Sequence, residues 1–207
     1  MASDATHRTH PFHLVNPSPW PIVGSIAVFI AAVGADRDGI EGLSRAERAG
    51  VPTFVRRVKD FETRDGWDRA LTAACLEHAP DLLVLAGFMK LTGSAFLAEY
   101  GGRCVNTHPA LSPSFPGMHG PADALAYGVK VTGATLFVVD AGVDTGPIVE
   151  QVAVRVEEDD DVETLHERIK VAERRMLVDS VGRMAREGFT VTGRTVRFGS
   201  GGSGSLG

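Results

Sequence analysis

Two polar clusters in the chain carry side chains with chemical potential. The first is Asn106-Thr107-His108-Pro109, which follows the apolar pair Cys104-Val105 and runs on to Gly117 through prolines at 109, 113 and 116. Those prolines hold the segment out of regular structure, so Asn106 and His108, two residues apart on extended backbone, share a face. An amide beside an imidazole suits one task well, donating hydrogen bonds to an oxygen that becomes negative as a carbonyl is attacked. The second cluster is Asp140-Ala141-Gly142-Val143-Asp144-Thr145-Gly146-Pro147. Its glycines let backbone amides come close to a ligand, and the Asp144 carboxylate could orient His108 or take a proton through water. Side-chain type alone leaves a turn-forming role open for both clusters. It also leaves open a metal site built from His108, His119, Asp140 and Asp144, although no short ligand pair supports one.

The elements that must position these clusters follow from apolar periodicity. Val28 to Ala35, Thr53 to Val58, Asp81 to Ala86 and Arg103 to Thr107 read as buried strands. They alternate with helical patterns over Gly39 to Ala49, Arg64 to His78 and Ser94 to Tyr100. Such alternation predicts an α/β fold, an open, mostly parallel twisted sheet with helices on both faces. Gly133 to Val139 and Ile148 to Val156 read as an antiparallel hairpin around the acidic loop. A long helix over Asp161 to Glu187 follows, with Asp161 as its N-cap and Glu163 in its first turn, and a last hairpin over Thr190 to Phe198 turns at Gly193. Open α/β sheets bind ligands beyond the carboxyl ends of their strands, where both polar clusters fall.

At 207 residues, with 43% hydrophobic and 23% charged residues, the chain has the size and composition of one globular domain. A formal charge of −5 argues against a nucleic-acid partner. The apolar run Ile22 to Val33 is too short to span a bilayer and stands too far from a basic start for a signal peptide, so it reads as a buried strand, with no membrane role. The two cysteines, Cys75 and Cys104, read as buried reduced thiols in a cytoplasmic protein. Residues 1–21 read as a disordered arm, whose His7, His10 and His13 have no Cys or carboxylate cluster beside them to complete a metal site. Residues 22–198 form the domain, and 199–207 a flexible Gly/Ser tail.

Across Gly34 to Phe198 the chain resembles the folate-dependent formyltransferases, and most closely their glycinamide ribonucleotide branch. The resemblance rests on Asp81-Leu82-Leu83-Val84-Leu85-Ala86-Gly87-Phe88-Met89-Lys90, Asn106-Thr107-His108-Pro109-Ala110-Leu111, Phe115-Pro116-Gly117, the acidic loop from Asp140 to Pro147, and Glu167-Arg168-Ile169-Lys170-Val171-Ala172-Glu173. It implies a formyl group moving from 10-formyltetrahydrofolate to a small-molecule primary amine, without a metal. Asn106, His108 and Asp144 would be catalytic. Met89, Lys90, Leu91 and the backbone of Asp140, Ala141, Gly142 and Val143 would line the pterin pocket. Gly87, Pro109, Lys170 and Glu173 would lie on the substrate side, Glu173 at the ribose hydroxyls and Lys170 near the phosphate.

The pattern departs from the family at two places. Phe137 stands where many relatives carry His, which is expected to alter packing behind the site. A Gly-x-Gly-Ser/Thr-Asn loop, which in the family follows the first strand and cradles the substrate phosphate, has no counterpart here, and prolines at 17, 19 and 21 occupy the corresponding stretch. The first strand and helix are therefore expected to be missing or replaced. Each charge-assisted hydrogen bond so lost is worth about 1.5 to 3 kcal/mol. Three readings follow: a glycinamide ribonucleotide formyltransferase, a relative serving a non-phosphorylated amine, and a folate- or partner-binding protein without turnover. A sheet edge left open by a missing strand could be covered in a homodimer.

Overall fold

The computed structural model describes residues 31–199. The arm, the segment from Phe12 to Ser25 that bears on the phosphate loop, and residues 200–207 of the tail lie outside the described residues. Strand β1 (Val33–Ala35) runs into helix α1 (Glu41–Arg48) and returns as β2 (Thr53–Val55), parallel to β1. The Phe54 ring lies against the backbone of Gly34, where a Cβ would sit 2.5 Å from it and make the ring shift. Helix α2 (Arg64–Leu76), β3 (Leu83–Leu85), α3 (Ser94–Tyr100) and β4 (Cys104–His108) continue the alternation, with β3 parallel to β4.

Beyond β4 the pairing becomes antiparallel. Helix α4 (Gly120–Tyr127) leads to the hairpin of β5 (Val131–Val138) and β6 (Ile148–Arg155), and β5 pairs antiparallel with both β4 and β6. Helix α5 (Val162–Glu187) then crosses the sheet to β7 (Phe189–Thr192) and β8 (Thr195–Phe198), and β8 lies parallel to β6. Among the described residues the order is β3-β4-β5-β6-β8-β7, with β1-β2 as a separate pair.

The pleat of β4 divides the core. Val105 packs on one face with Leu165, Ile169, Leu177 and Val181 of α5, whose spacing places them on one stripe of that helix. Cys104 packs on the other face with Trp67, Leu71 and Cys75 of α2 and with Phe96 and Tyr100 of α3. Each fully buried side chain of this kind contributes about 1.5 to 3 kcal/mol of transfer free energy.

The strands are shorter than the apolar runs suggest. β2 ends at Val55 because the chain turns away after Arg56, whose N–H reaches Ala35 and whose carbonyl accepts from the Trp67 indole at 2.8 Å. Helix α4 is absent from the sequence reading. Its signals were Pro121 in the first turn and Gly128 at the end, where φ is 80°. The N-cap of α5 is as expected. Asp161 accepts from Thr164 N–H at 2.8 Å while Asp161 N–H reaches the Thr164 hydroxyl at 2.9 Å, closing a capping box.

Candidate active site

Alternation along β4 sends Asn106 and His108 to the α2/α3 face and Thr107 to the α5 face. The Asn106 Oδ1 accepts from the Thr107 N–H at 2.9 Å, which commits the oxygen to the backbone and leaves the two Nδ2 hydrogens as the donors Asn106 can offer. His108 is buried. Its Nε2 lies 2.8 Å from the carbonyl of Phe115, and a carbonyl only accepts, so this nitrogen carries a hydrogen. Its Nδ1 lies 3.4 Å from Asp144 Oδ2.

Two strained loops make this arrangement. Phe115 has φ 52°, in the left-handed region, and that turn aims its carbonyl at His108. Two residues on, the Gly117 N–H donates to Asp144 Oδ2 at 2.8 Å. Asp144 itself has φ 54°, a conformation Asp tolerates better than most residues. Its loop is closed by Asp140, whose Oδ1 accepts from Gly142 N–H at 3.0 Å and from the Thr145 hydroxyl at 2.7 Å. Arg194, from the β7–β8 turn, donates to the Thr145 carbonyl at 3.0 Å.

Between this loop and the segment after β3 lies a cleft. Lys90, Leu91 and Thr92 form one wall and Asp140 to Asp144 the other, with Asn106 among the lining residues. Of the residues expected to bind the cofactor, Lys90, Leu91, Asp140, Ala141, Gly142 and Val143 line it, whereas Met89 projects outward and is half exposed. Gly87, at φ 67°, makes the turn into the first wall. Pro109 directly follows His108 at the end of β4.

Lys170 and Glu173 are elsewhere. The Thr107 hydroxyl donates to Glu173, and Lys170 donates to Glu167 at 2.6 Å, so both stand on the α5 side of β4. Near them burial lowers the pKa of His166, and the charge of Lys170 acts in the same direction. The sequence reading missed Leu85, Thr92, Phe137 and Val139 as lining residues. Phe137 forms part of the cleft wall rather than packing behind it, because β5 sets it directly opposite Asn106. Strand alternation carried that signal once the pairing was known. Among the described residues no group of three or more His, Cys, Asp and Glu could hold a metal ion.

The fold and the cleft at the carboxyl ends of β3 and β4 define an α/β protein with a site equipped for acyl transfer. The formyl transferase family matches residues 22–181. Phosphoribosylglycinamide formyltransferase of Mycobacterium tuberculosis is 56% identical over 177 residues, spanning 86% of this chain and 82% of that protein. The Bacillus subtilis enzyme of the same name is 38% identical over 139 residues, spanning 67% of this chain and 71% of that protein. The crystal structure of glycinamide ribonucleotide transformylase 1 from Symbiobacterium toebii aligns with a TM-score of 0.79 at 40% identity, covering 82% of this chain and 80% of its own. The chain belongs to the formyl transferase family, and within it to the phosphoribosylglycinamide formyltransferases.

Proposed function

We propose that the chain transfers a formyl group from 10-formyltetrahydrofolate to the primary amine of glycinamide ribonucleotide, a step of purine biosynthesis. The observation that carries this reading is one cleft lined by both Asn106 and Asp144, with His108 held between the Phe115 carbonyl and the Asp144 carboxylate. The donor would lie between Lys90-Leu91 and the backbone of Asp140 to Val143, with its formyl carbonyl toward Asn106.

As the amine nitrogen attacks, a C–N bond forms and the carbonyl π electrons move to oxygen. The Asn106 amide and a His108 N–H then stabilise that oxygen. The bond from the formyl carbon to N10 of the folate breaks next, its electron pair staying on N10. The proton lost by the amine is taken up at His108 Nδ1 and handed on to N10, and the Asp144 carboxylate beside Nδ1 balances the ring's charge while it holds that proton. Glu173 and Lys170 would serve the ribose and phosphate of the acceptor from the α5 side. Incubation of the purified chain with both substrates should release tetrahydrofolate and formylated product in equal amounts. Absence of turnover at saturating substrate would sink this reading.

One sequence observation favours a second acceptor. Prolines 17, 19 and 21 stand where the family carries its phosphate-binding loop. In that case non-phosphorylated amines, assayed in the same way, would be formylated in preference to the ribonucleotide.

A further inference from the structure

The acidic loop from Asp140 to Pro147 brings Asp144 to His108, yet the apolar residues of its tip do little to hold it. Ala141 and Val143 are exposed, and neither belongs to a core cluster. Inside the loop, Asp140 ties Gly142 to Thr145. At its base, Gly146 lies so close to the Val138 carbonyl that a Cβ there would come within 1.7 Å of it, so glycine is required for that approach. These contacts shape the loop and close its base. They do not set where its tip lies over the cleft.

Arg194 reaches the loop from a different element. Its Nη2 donates to the Thr145 carbonyl at 3.0 Å and to the Gly146 carbonyl at 3.4 Å, across 49 and 48 residues of sequence. Sheet register puts it there, because Thr195, the next residue, pairs with Ile148, the residue that follows Pro147 at the exit of the loop. The hairpin that carries Arg194 is itself well seated. Phe189, Val191, Val196 and Phe198 pack against the α5-side core, and the Arg183 guanidinium lies 4.0 Å from the centre of the Phe198 ring. The two carbonyls that Arg194 holds belong to the residues directly after Asp144. A donor that fixes them fixes the backbone from which the Asp144 carboxylate projects, at φ 54°. The family match ends at residue 181, short of this hairpin.

We propose that Arg194 is a positioning residue that keeps Asp144 against His108 by holding the backbone at Thr145 and Gly146, which makes the β7–β8 hairpin a working part of the site. This rests on the reading of Asp144 as the carboxylate that balances His108 during formyl transfer. A positioning role and a purely structural one differ in consequence. The first changes catalysis and the hold of Asp144 on Gly117, and the second changes stability alone.

Amide hydrogen exchange of the full chain, followed by NMR, reads the anchoring without substrates. The Gly117 N–H is bonded to Asp144 Oδ2 at 2.8 Å and stands far along the chain from Arg194. Arg194→Ala is expected to speed exchange of that amide about fivefold, while the amides of β5 keep their rates. In steady-state kinetics with 10-formyltetrahydrofolate and glycinamide ribonucleotide, the same variant should lower kcat about fivefold and leave KM for the amine within about twofold. Arg194→Lys, which keeps a charged donor for one of the two carbonyls, is expected to recover most of both effects. Unchanged Gly117 exchange or an unchanged kcat would overturn the proposal, a lower melting temperature alone marking a structural role. If the unaltered chain does not turn over these substrates, the formyl-transfer reading falls, and Gly117 exchange then decides by itself whether Arg194 anchors the loop.

Discussion

Asn106 offers the cleft two amide hydrogens because its oxygen is already bonded to the Thr107 N–H, so truncation removes donors without freeing an acceptor. Asn106→Ala is expected to lower kcat by about 10²- to 10³-fold with both KM values little changed, read from initial rates. Asp144→Asn keeps a residue that tolerates φ 54° and removes only the charge facing His108 Nδ1. It should cost about 10²-fold or more in kcat. A rate near that of the unaltered chain in either variant removes that residue from the mechanism. At this scale the sequence was informative about type and face, since spacing along β4 put Asn106 and His108 together. It could not supply the Phe115 carbonyl or the Gly117 N–H, because backbone groups leave no trace in residue identity.

Helix α5 is the longest element among the described residues, and its start is electrostatic. The Thr164 N–H, and then its hydroxyl, hold the Asp161 carboxyl below its ordinary value of 3.8, and Arg168 does the same for Asp160. A carboxyl lowered in the fold adds stability that is present above its unfolded value and is lost as pH falls through the folded one. The melting temperature followed by helical circular dichroism should therefore drop as pH falls below about 4. Asp161→Ala should melt lower than the unaltered chain at neutral pH and show a smaller acid-side drop. Equal melting curves at neutral pH would show that the capping box is dispensable. This element was legible from its cap and its stripe of apolar residues. Helix α4 was not, because eight residues with small apolar side chains on several sides give no clear period.

At the scale of the molecule, two cores of the described residues meet on opposite faces of β4, and both cysteines belong to the α2/α3 side. Burial pushes the Cys75 thiol up to about 11 and the Cys104 thiol up to about 12, from an ordinary value of 9.0. A thiol raised in the fold contributes stability that is fully present below 9.0 and is lost as pH rises toward the folded values. At pH 8 iodoacetamide should modify neither cysteine in the folded protein and both in denaturant, as mass spectrometry would record. Rapid native alkylation of Cys104 would contradict the packing around β4. The formyl transferase family matches residues 22–181, a span that holds the whole of the α2/α3-side core and most of the α5-side core, whose Met184 and β7–β8 residues lie beyond it.

The sequence by itself determined which chemistry the chain is equipped for, the alternating strands and helices, and the long capped helix, because these depend on residue type and on periods of two and 3.6. Only the tertiary structure decided that Asp144, 36 residues beyond His108, comes to lie beside it, that Phe137 forms a wall of the cleft, and that Glu173 is bonded to Thr107 on the far side of the strand. Those facts depend on the register of β4 against β5 and on the crossing of α5, which bring together residues that no local pattern relates.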